Sequence, residues 1–310
     1  MRTEIRNMIC TLACCVTATA VVAGQEMPAD YQQVLATLGR QGDFKSRVLK
    51  VNIPRNDLKV TVAGVSTPTP FGFGGWVAMT KGHDGMDVLM GDLVLTQDEV
   101  NSVMSALLSA GLDVTALHNH FFWDEPRMFY MHVHGMGTAS ALANQLKPAL
   151  ALIGTSRSAP TAAPASKPQP PADAPPPLNT AKLARLAGYD GEQSGAVYKI
   201  TVGREDLHVT EMGADINARM GLNTWAAFVG TDAVAAVAGD VAMLASEVTP
   251  VLKALRDYGL DVVALHHHMT DTQPAVFFVH YWGTGPADKL AAGFKAALDQ
   301  LGKGTAKGHP

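Results

Sequence analysis

Three features of the sequence predict an α+β protein, built as a tandem duplication of one domain with a mostly antiparallel sheet and helices packed on one face. The stretch "ALHNHFFWDEPRMFYMHVHG" at residues 116–135 returns as "ALHHHMTDTQPAVFFVHYWG" at residues 264–283. From Gly91 to Gly137 against Gly239 to Gly285 the two halves align without a gap, with 20 identities in 47 positions. Between them, residues 160–177 read "PTAAPASKPQPPADAPPP", with eight prolines. Chance similarity does not keep one register through a helix, a strand, a loop and another strand, and a period near 150 is too long for a solenoid and means two copies of one domain. The proline-rich segment cannot bury a core and favours extended polyproline II, so it acts as a spacer. Repeats over residues 31–155 and 180–303, joined by a linker at 156–179, are therefore expected. A chain of 310 residues that is 47% apolar is long enough for a core in each.

Within each copy the elements follow in order. The segment Leu49 to Gly64 reads as two short strands broken at "PRND", and "GGWVAMT" and "MDVLMGDLVL" add further β-rich runs. Thr96 with Glu99 three residues on has capping-box spacing, which opens a helix whose apolar face carries Val100, Val103, Met104, Leu107 and Leu108 and which Gly111 ends. The second copy keeps Glu247, Val248, Val251, Leu252, Leu255 and Gly259. A strand "LDVTALHNH", a loop containing Pro126, a strand "RMFYMHVHG" and a helix from Thr138 close the unit.

Residues 1–24 read as an export signal. Arg2 and Arg6 precede an apolar run from Met8 to Ala23, with small residues at Ala18, Ala20 and Gly24 for cleavage. Because the run continues past Cys14 to Val22, a plain secretory signal is expected rather than a lipid anchor on Cys14, and the mature chain is expected to be periplasmic or secreted with no transmembrane span. Cys10, Cys14 and Cys15 all fall in this segment, which would leave a mature chain without thiolate chemistry, disulfides or Cys-ligated metal. The net charge of -4 and the lack of a Lys/Arg-rich run argue against nucleic acid as a partner.

The repeated histidines carry the functional signal. Side chains alternate along a strand, so His118 and His120 share a face, as do His132 and His134. An antiparallel hairpin around Pro126 would converge the pairs; His266, His268 and His280 take the matching places, while Trp282 stands where copy one has His134. Three neutral imidazoles suit a transition metal such as zinc or copper, and Asp124 and Glu125 are candidates for a general base or further ligand. The bland alternative is that the histidines hydrogen-bond loop carbonyls or line an organic-ligand pocket without metal. Lone His83, His208 and His309 read as satisfied core residues or hydrogen-bonding props, and Trp76 and Trp225 as core aromatics rather than a binding wall.

The run "NTWAAFVGTD", "AGDVAM", "LDVVALHHHM", a proline and "FFVHYWGTG" resembles the LppY/LpqO-like family of bacterial exported proteins and lipoproteins. The resemblance covers both halves; copy one matches at His118, Asn119, His120, Pro126 and Arg127 and departs at His134, where the family pattern carries an aromatic. It implies export and duplicated architecture, and no particular activity. From the residues we expect a two-domain protein that binds a transition metal or metal-linked small ligand through a His triad in each repeat, with the repeats capable of packing as an intramolecular pseudo-dimer. The alternatives are a metal-dependent hydrolase with its active site in the first repeat, and a metal-free module for a small molecule or cell-envelope partner.

Overall fold

The computed structural model describes residues 25–155 and 177–303; residues 1–24, expected to be an export signal, with their three cysteines, nearly all of the linker and His309 lie outside the described residues. The first repeat runs α1 (Ala29–Leu38), β1 (Gly42–Lys45), β2 (Val48–Pro54), β3 (Val60–Val62), β4 (Val65–Thr67), β5 (Gly74–Lys81), β6 (Asp87–Thr96), α2 (Val100–Ser109), β7 (Asp113–His118), β8 (Asp124–Glu125), β9 (Met128–Gly137) and α3 (Ala139–Leu150). The second runs α4 (Thr180–Ala187), β10 (Gly191–Ser194), β11 (Val197–Gly203), β12 (Val209–Glu211), β13 (Ala214–Ile216), β14 (Asn223–Gly230), β15 (Ala235–Leu244), α5 (Ala245–Asp257), β16 (Asp261–His266), β17 (Val276–Gly285) and α6 (Ala287–Leu298). Each repeat carries a six-stranded antiparallel sheet, ordered β1-β2-β5-β6-β9-β7 and β10-β11-β14-β15-β17-β16. This is the expected α+β duplication.

The two faces of each sheet bury against different things. On one face Leu89, Leu93, Met131 and Val133 pack with Val103, Leu107, Leu142 and Leu146 of the helices, and Val237, Val241, Val279 and Tyr281 do the same against α5 and α6. The other face of each sheet looks toward the other repeat. Phe71, Phe73, Phe121 and Tyr130 share a cluster with Ala227, Ala236, Ala238 and Trp282, and Val48, Ala78, Val88 and Met90 share one with Val209, Met220, Met269 and Phe278. Burial on both faces is why β6 and β15, "DVLMGDLVLT" and "AAVAGDVAML", read as nearly unbroken apolar runs instead of alternating.

Three differences from the sequence expectation have local causes. The amphipathic helices α1 and α4 and the edge strands β1 and β10 lie before the first segment read as structure; Tyr31 and Val34 of α1 join the same core as α3. The capping box at Thr96 is only half formed. Glu99 accepts from the Thr96 backbone N–H at 2.8 Å, but the Thr96 hydroxyl has no hydrogen-bond partner and α2 starts at Val100. Glu99 is held by Arg55, whose guanidinium donates to it at 2.6 Å and to the Val94 carbonyl at 2.9 Å, with both side chains almost fully buried. Arg204, Glu247 and Ala242 repeat the arrangement. Thus "PRND" and "GRED" supply the arginines that fix the starts of α2 and α5.

Candidate metal centre and adjoining cavity

Strand register builds the site. Across the first sheet Asn52 pairs with Trp76, Trp76 with Asp92, Asp92 with His132, and His132 with Ala116. Across the second the same row reads Thr201, Trp225, Asp240, His280 and Ala264. Directly paired residues share a face, and alternation then puts His118, Tyr130 and His134, or His266, Phe278 and Trp282, on the inter-repeat side. A one-residue irregularity between Val114 and Ala116 aims the end of β7 inward, and the freed Thr115 hydroxyl donates to the His268 carbonyl of the other repeat at 2.7 Å. Met131 has the opposite parity and lies in the helix-side core.

The imidazoles interleave across the repeat boundary. His120 stacks between Tyr130 and His280, with ring centroids 3.2 and 3.5 Å away. The equivalent His268 stacks between Phe278 at 3.4 Å and His132 at 4.1 Å. His118 and His266, equivalent residues themselves, meet face to face at 3.8 Å. The six shared histidines thus form one pile in which each half-stack draws on both repeats.

The nitrogens do not divide by repeat either. Among the described residues, the groups of three ligating side chains whose ligand atoms all lie within 4.8 Å of one another are His118 with His266 and His280, and His132 with His266 and His268. The expected self-contained triad in each repeat is replaced by these mixed sets, because the two sheets face one another. Nε2 of His118 stands 3.2 Å from Nε2 of His280. Two ligands of a tetrahedral zinc, each ~2.0–2.1 Å from the ion, are separated by roughly 3.3 Å. With Nδ1–H of His280 donating to the Gly239 carbonyl at 3.2 Å, its Nε2 keeps the lone pair for a metal. Asp240 brings a carboxylate oxygen within 3.6 Å of His268 Nε2 and 3.9 Å of His280 Nε2.

The donor set fits a divalent transition ion. Both ring nitrogens of His120, Nδ1 of His118 and His268, and Nε2 of His132 are buried without a hydrogen-bond partner, an unusual concentration of unpaired polar atoms. Burial holds His118, His120, His132, His268 and His280 well below their ordinary pKa and takes His266 down to about 3, so the imidazoles are neutral at neutral pH, the form that binds metal.

The other nominated residues are placed differently. His134 sits outside both groups, with Nδ1 3.1 Å from Oε1 of Glu211 in the opposite repeat. Asp124 is buried, and its carboxylate accepts from the Met128 backbone N–H at 2.6 Å, which fixes the loop before β9. Glu125 is exposed and pairs through its backbone with Thr61. Neither carboxylate approaches a histidine nitrogen among the contacts described, so the structure brings Asp240, not Asp124 or Glu125, to the cluster. His208 is exposed, not the core residue or hydrogen-bonding prop expected of it.

A cavity of about 620 Å³ opens beside the pile, lined from both repeats by Lys50, Trp76, Asp92, Lys199, Trp225 and Asp240 and reaching His120, His268 and His280. The tryptophans pack against the inter-repeat clusters, as expected, and also line the cavity wall: Lys50 Nζ lies 4.4 Å from the Trp76 ring centre, and Lys199 Nζ lies 4.0 Å from that of Trp225. Burial and the neighbouring Asp240 raise Asp92 to about 7; burial raises Asp240 to about 6. Burial lowers both lysines to about 8. Sequence reading passed over these four. The available signal was a carboxylate inside an apolar ten-residue strand, in "MGDLV" and again in "AGDVA".

No curated protein matches the chain. Among solved structures, EtuB from Clostridium kluyveri is 8% identical over 84% of this chain and 91% of that one, with a TM-score of 0.20. A trimeric bacterial microcompartment shell protein, PduB, is 12% identical over 84% and 93%, with a TM-score of 0.19. Likenesses this weak carry no argument. A family model described as Domain of Unknown Function (DUF1259) matches residues 32–152 and again residues 181–300, so the chain belongs to that family and carries its domain twice in tandem.

Proposed function

We propose that this chain is an exported, periplasmic or secreted member of the LppY/LpqO-like group, whose two repeats pack as an intramolecular pseudo-dimer to bind one transition-metal ion, zinc or copper. The observation that carries the reading is the 3.2 Å approach of His118 Nε2 to His280 Nε2, joined by His266, between two different repeats. His266 belongs to both mixed groups. A neutral imidazole has one accepting nitrogen, so the two groups are alternative seats for one ion and not two simultaneous sites.

Export is supported by the signal-like first 24 residues, and among the described residues no helix is long and apolar enough to cross a membrane. Elemental analysis of untagged protein purified from the compartment it is exported to tests the function. Close to one zinc or copper per chain is expected; metal-free protein with no saturable uptake at neutral pH would overturn the reading.

A hydrolytic reading has one observation in its favour: the cavity gives a substrate access to the histidines, and Asp92 and Asp240 stand beside them with pKa values of about 7 and 6. An ion held by these histidines would supply Lewis-acid activation of water, and a carboxylate that titrates near neutrality would suit the accompanying proton transfer. In that reading the acid–base residues are these two aspartates, contributed one by each repeat.

A further inference from the structure

The cavity beside the histidines has a ligand chemistry of its own, which does not depend on the metal. Its inner wall presents Lys50 and Lys199 at equivalent positions, each over the face of an equivalent tryptophan. Among the described residues neither ammonium makes a hydrogen bond or an ion pair, and both side chains are half-buried. Arg219 adds a third cation; its NH2 group is paired with Asp43 of the first repeat at 2.7 Å, while its Nε is buried without a partner. Lys45 is the remaining cation of the lining, and against the four stand Asp92, Asp190, Glu192 and Asp240, so the lining is balanced in formal charge. Within it Lys50 and Lys199, each over an indole face and without an ion-pair partner among the described residues, are the cations left for an anionic ligand.

The second feature is symmetry. Lys50 with Trp76 and Lys199 with Trp225 occupy equivalent rows of two sheets that face each other, so the cavity offers the same cation-on-aromatic element from each repeat. One small anion with a single charged end would use one element and leave the other without a partner. Side chains supply the cations, and the walls are indole faces, which suits carbon-bearing acids better than an inorganic oxyanion.

We propose that this cavity binds a small organic dianion of the dicarboxylate class, with Lys50 receiving one carboxylate and Lys199 the other. The buried His120, only 5% exposed and with neither ring nitrogen hydrogen-bonded, faces the same space and supplies a neutral donor or acceptor to the ligand.

Titration calorimetry on the full chain, with succinate, glutarate, propionate and inorganic phosphate as probes, tests this in metal-free and in zinc-loaded protein. Saturable binding of succinate or glutarate is expected in the metal-free protein, at least tenfold tighter than propionate or phosphate. Lys50→Gln and Lys199→Gln should each weaken it about tenfold or more, and Lys50→Arg should retain most of it, with unchanged thermal unfolding showing that the variants fold. No dicarboxylate binding, phosphate binding as tight as succinate, or lysine variants that bind like the parent would each overturn the proposal. Zinc uptake without dicarboxylate binding sinks this inference alone, and dicarboxylate binding without zinc uptake sinks only the metal reading.

Discussion

His134 and Glu211 form a buried cross-repeat pair, Nδ1 to Oε1 3.1 Å, for which the opposite end of the histidine pile substitutes Trp282 and Val62. The duplicated halves are thus interchangeable at six histidines and different at one end. At the apolar end, the Trp282 ring meets Phe71 and Phe121 edge-on at 5.8 and 5.6 Å.

A double-mutant cycle with His134→Gln and Glu211→Gln should show non-additive destabilisation, with a coupling energy on the order of 1–3 kcal/mol, because each single change leaves the other group buried without its partner. Neither belongs to the mixed histidine groups, so zinc stoichiometry should stay the same in both variants. Additive stabilities in urea denaturation would show that the pair does not act as a unit.

The Arg55–Glu99 and Arg204–Glu247 pairs are the strongest candidates for single-site loss of stability. All four side chains are almost fully buried. Removing one charge from a buried pair typically costs about 3–5 kcal/mol; here the loss should fall toward the lower end, because Arg55 and Arg204 each keep a second carboxylate, Asp57 and Asp206, at 2.8 Å. Glu99→Gln and Glu247→Gln should each lower the urea midpoint strongly while the fraction that stays folded binds zinc normally. Equal midpoints in parent and variants would contradict the assignment of these pairs as the anchors of α2 and α5.

Acid should destabilise the metal-free protein. The six core histidines have folded pKa values depressed below the unfolded value of about 6.5. Below that pH the unfolded chain gains protons that the folded one refuses, so their contribution is full above about 6.5 and is lost as pH falls toward the folded values, about 3 for His266. Asp92 and Asp240 act oppositely: raised to about 7 and 6, they stabilise fully below the unfolded value of 3.8 and lose that contribution as pH rises through 6 and 7. Six imidazoles outweigh two carboxylates. Melting in the presence of a chelator should therefore occur roughly 5 °C or more lower at pH 5 than at pH 7.5. A melting temperature that is equal or higher at pH 5 would contradict the buried, neutral histidines.

The same burial alters the expected proton competition for metal. A solvent-exposed histidine site would release zinc as pH falls through about 6 to 5. Here the imidazoles carry no proton in that range, so bound zinc should survive equilibrium dialysis at pH near 5.5 and leave only as the protein unfolds. Loss of zinc from protein with unchanged circular dichroism at that pH would count against it.

Much of this was legible before the structure. The duplication, the antiparallel sheet and the inward parity of His118, His120, His132 and His134 follow from period-two alternation and the gapless repeat. What sequence could not supply was the partner of each inward face. His280 keeps His266 of its own repeat as a group member but stacks on His120 of the other, because the facing of two sheets is a tertiary property that strand periodicity does not encode. Asp92 and Asp240 lie inside apolar strands, and nothing in the strand pattern marks them, Lys50 or Lys199 as facing a cavity, which only the packing of the two sheets creates. Glu125 misled in the opposite way: it lies close to the histidines along the chain, but β8 turns it to solvent.

The most direct test of a metal seat shared between the repeats is zinc titration of the full chain with a competing chelator, comparing the parent with His118→Ala and His266→Ala. The shared seat predicts one tightly bound ion per chain in the parent and its loss in either variant, although the two histidines belong to different repeats. Two ions in the parent, with each substitution removing only one of them, would contradict it and restore an independent site in each repeat.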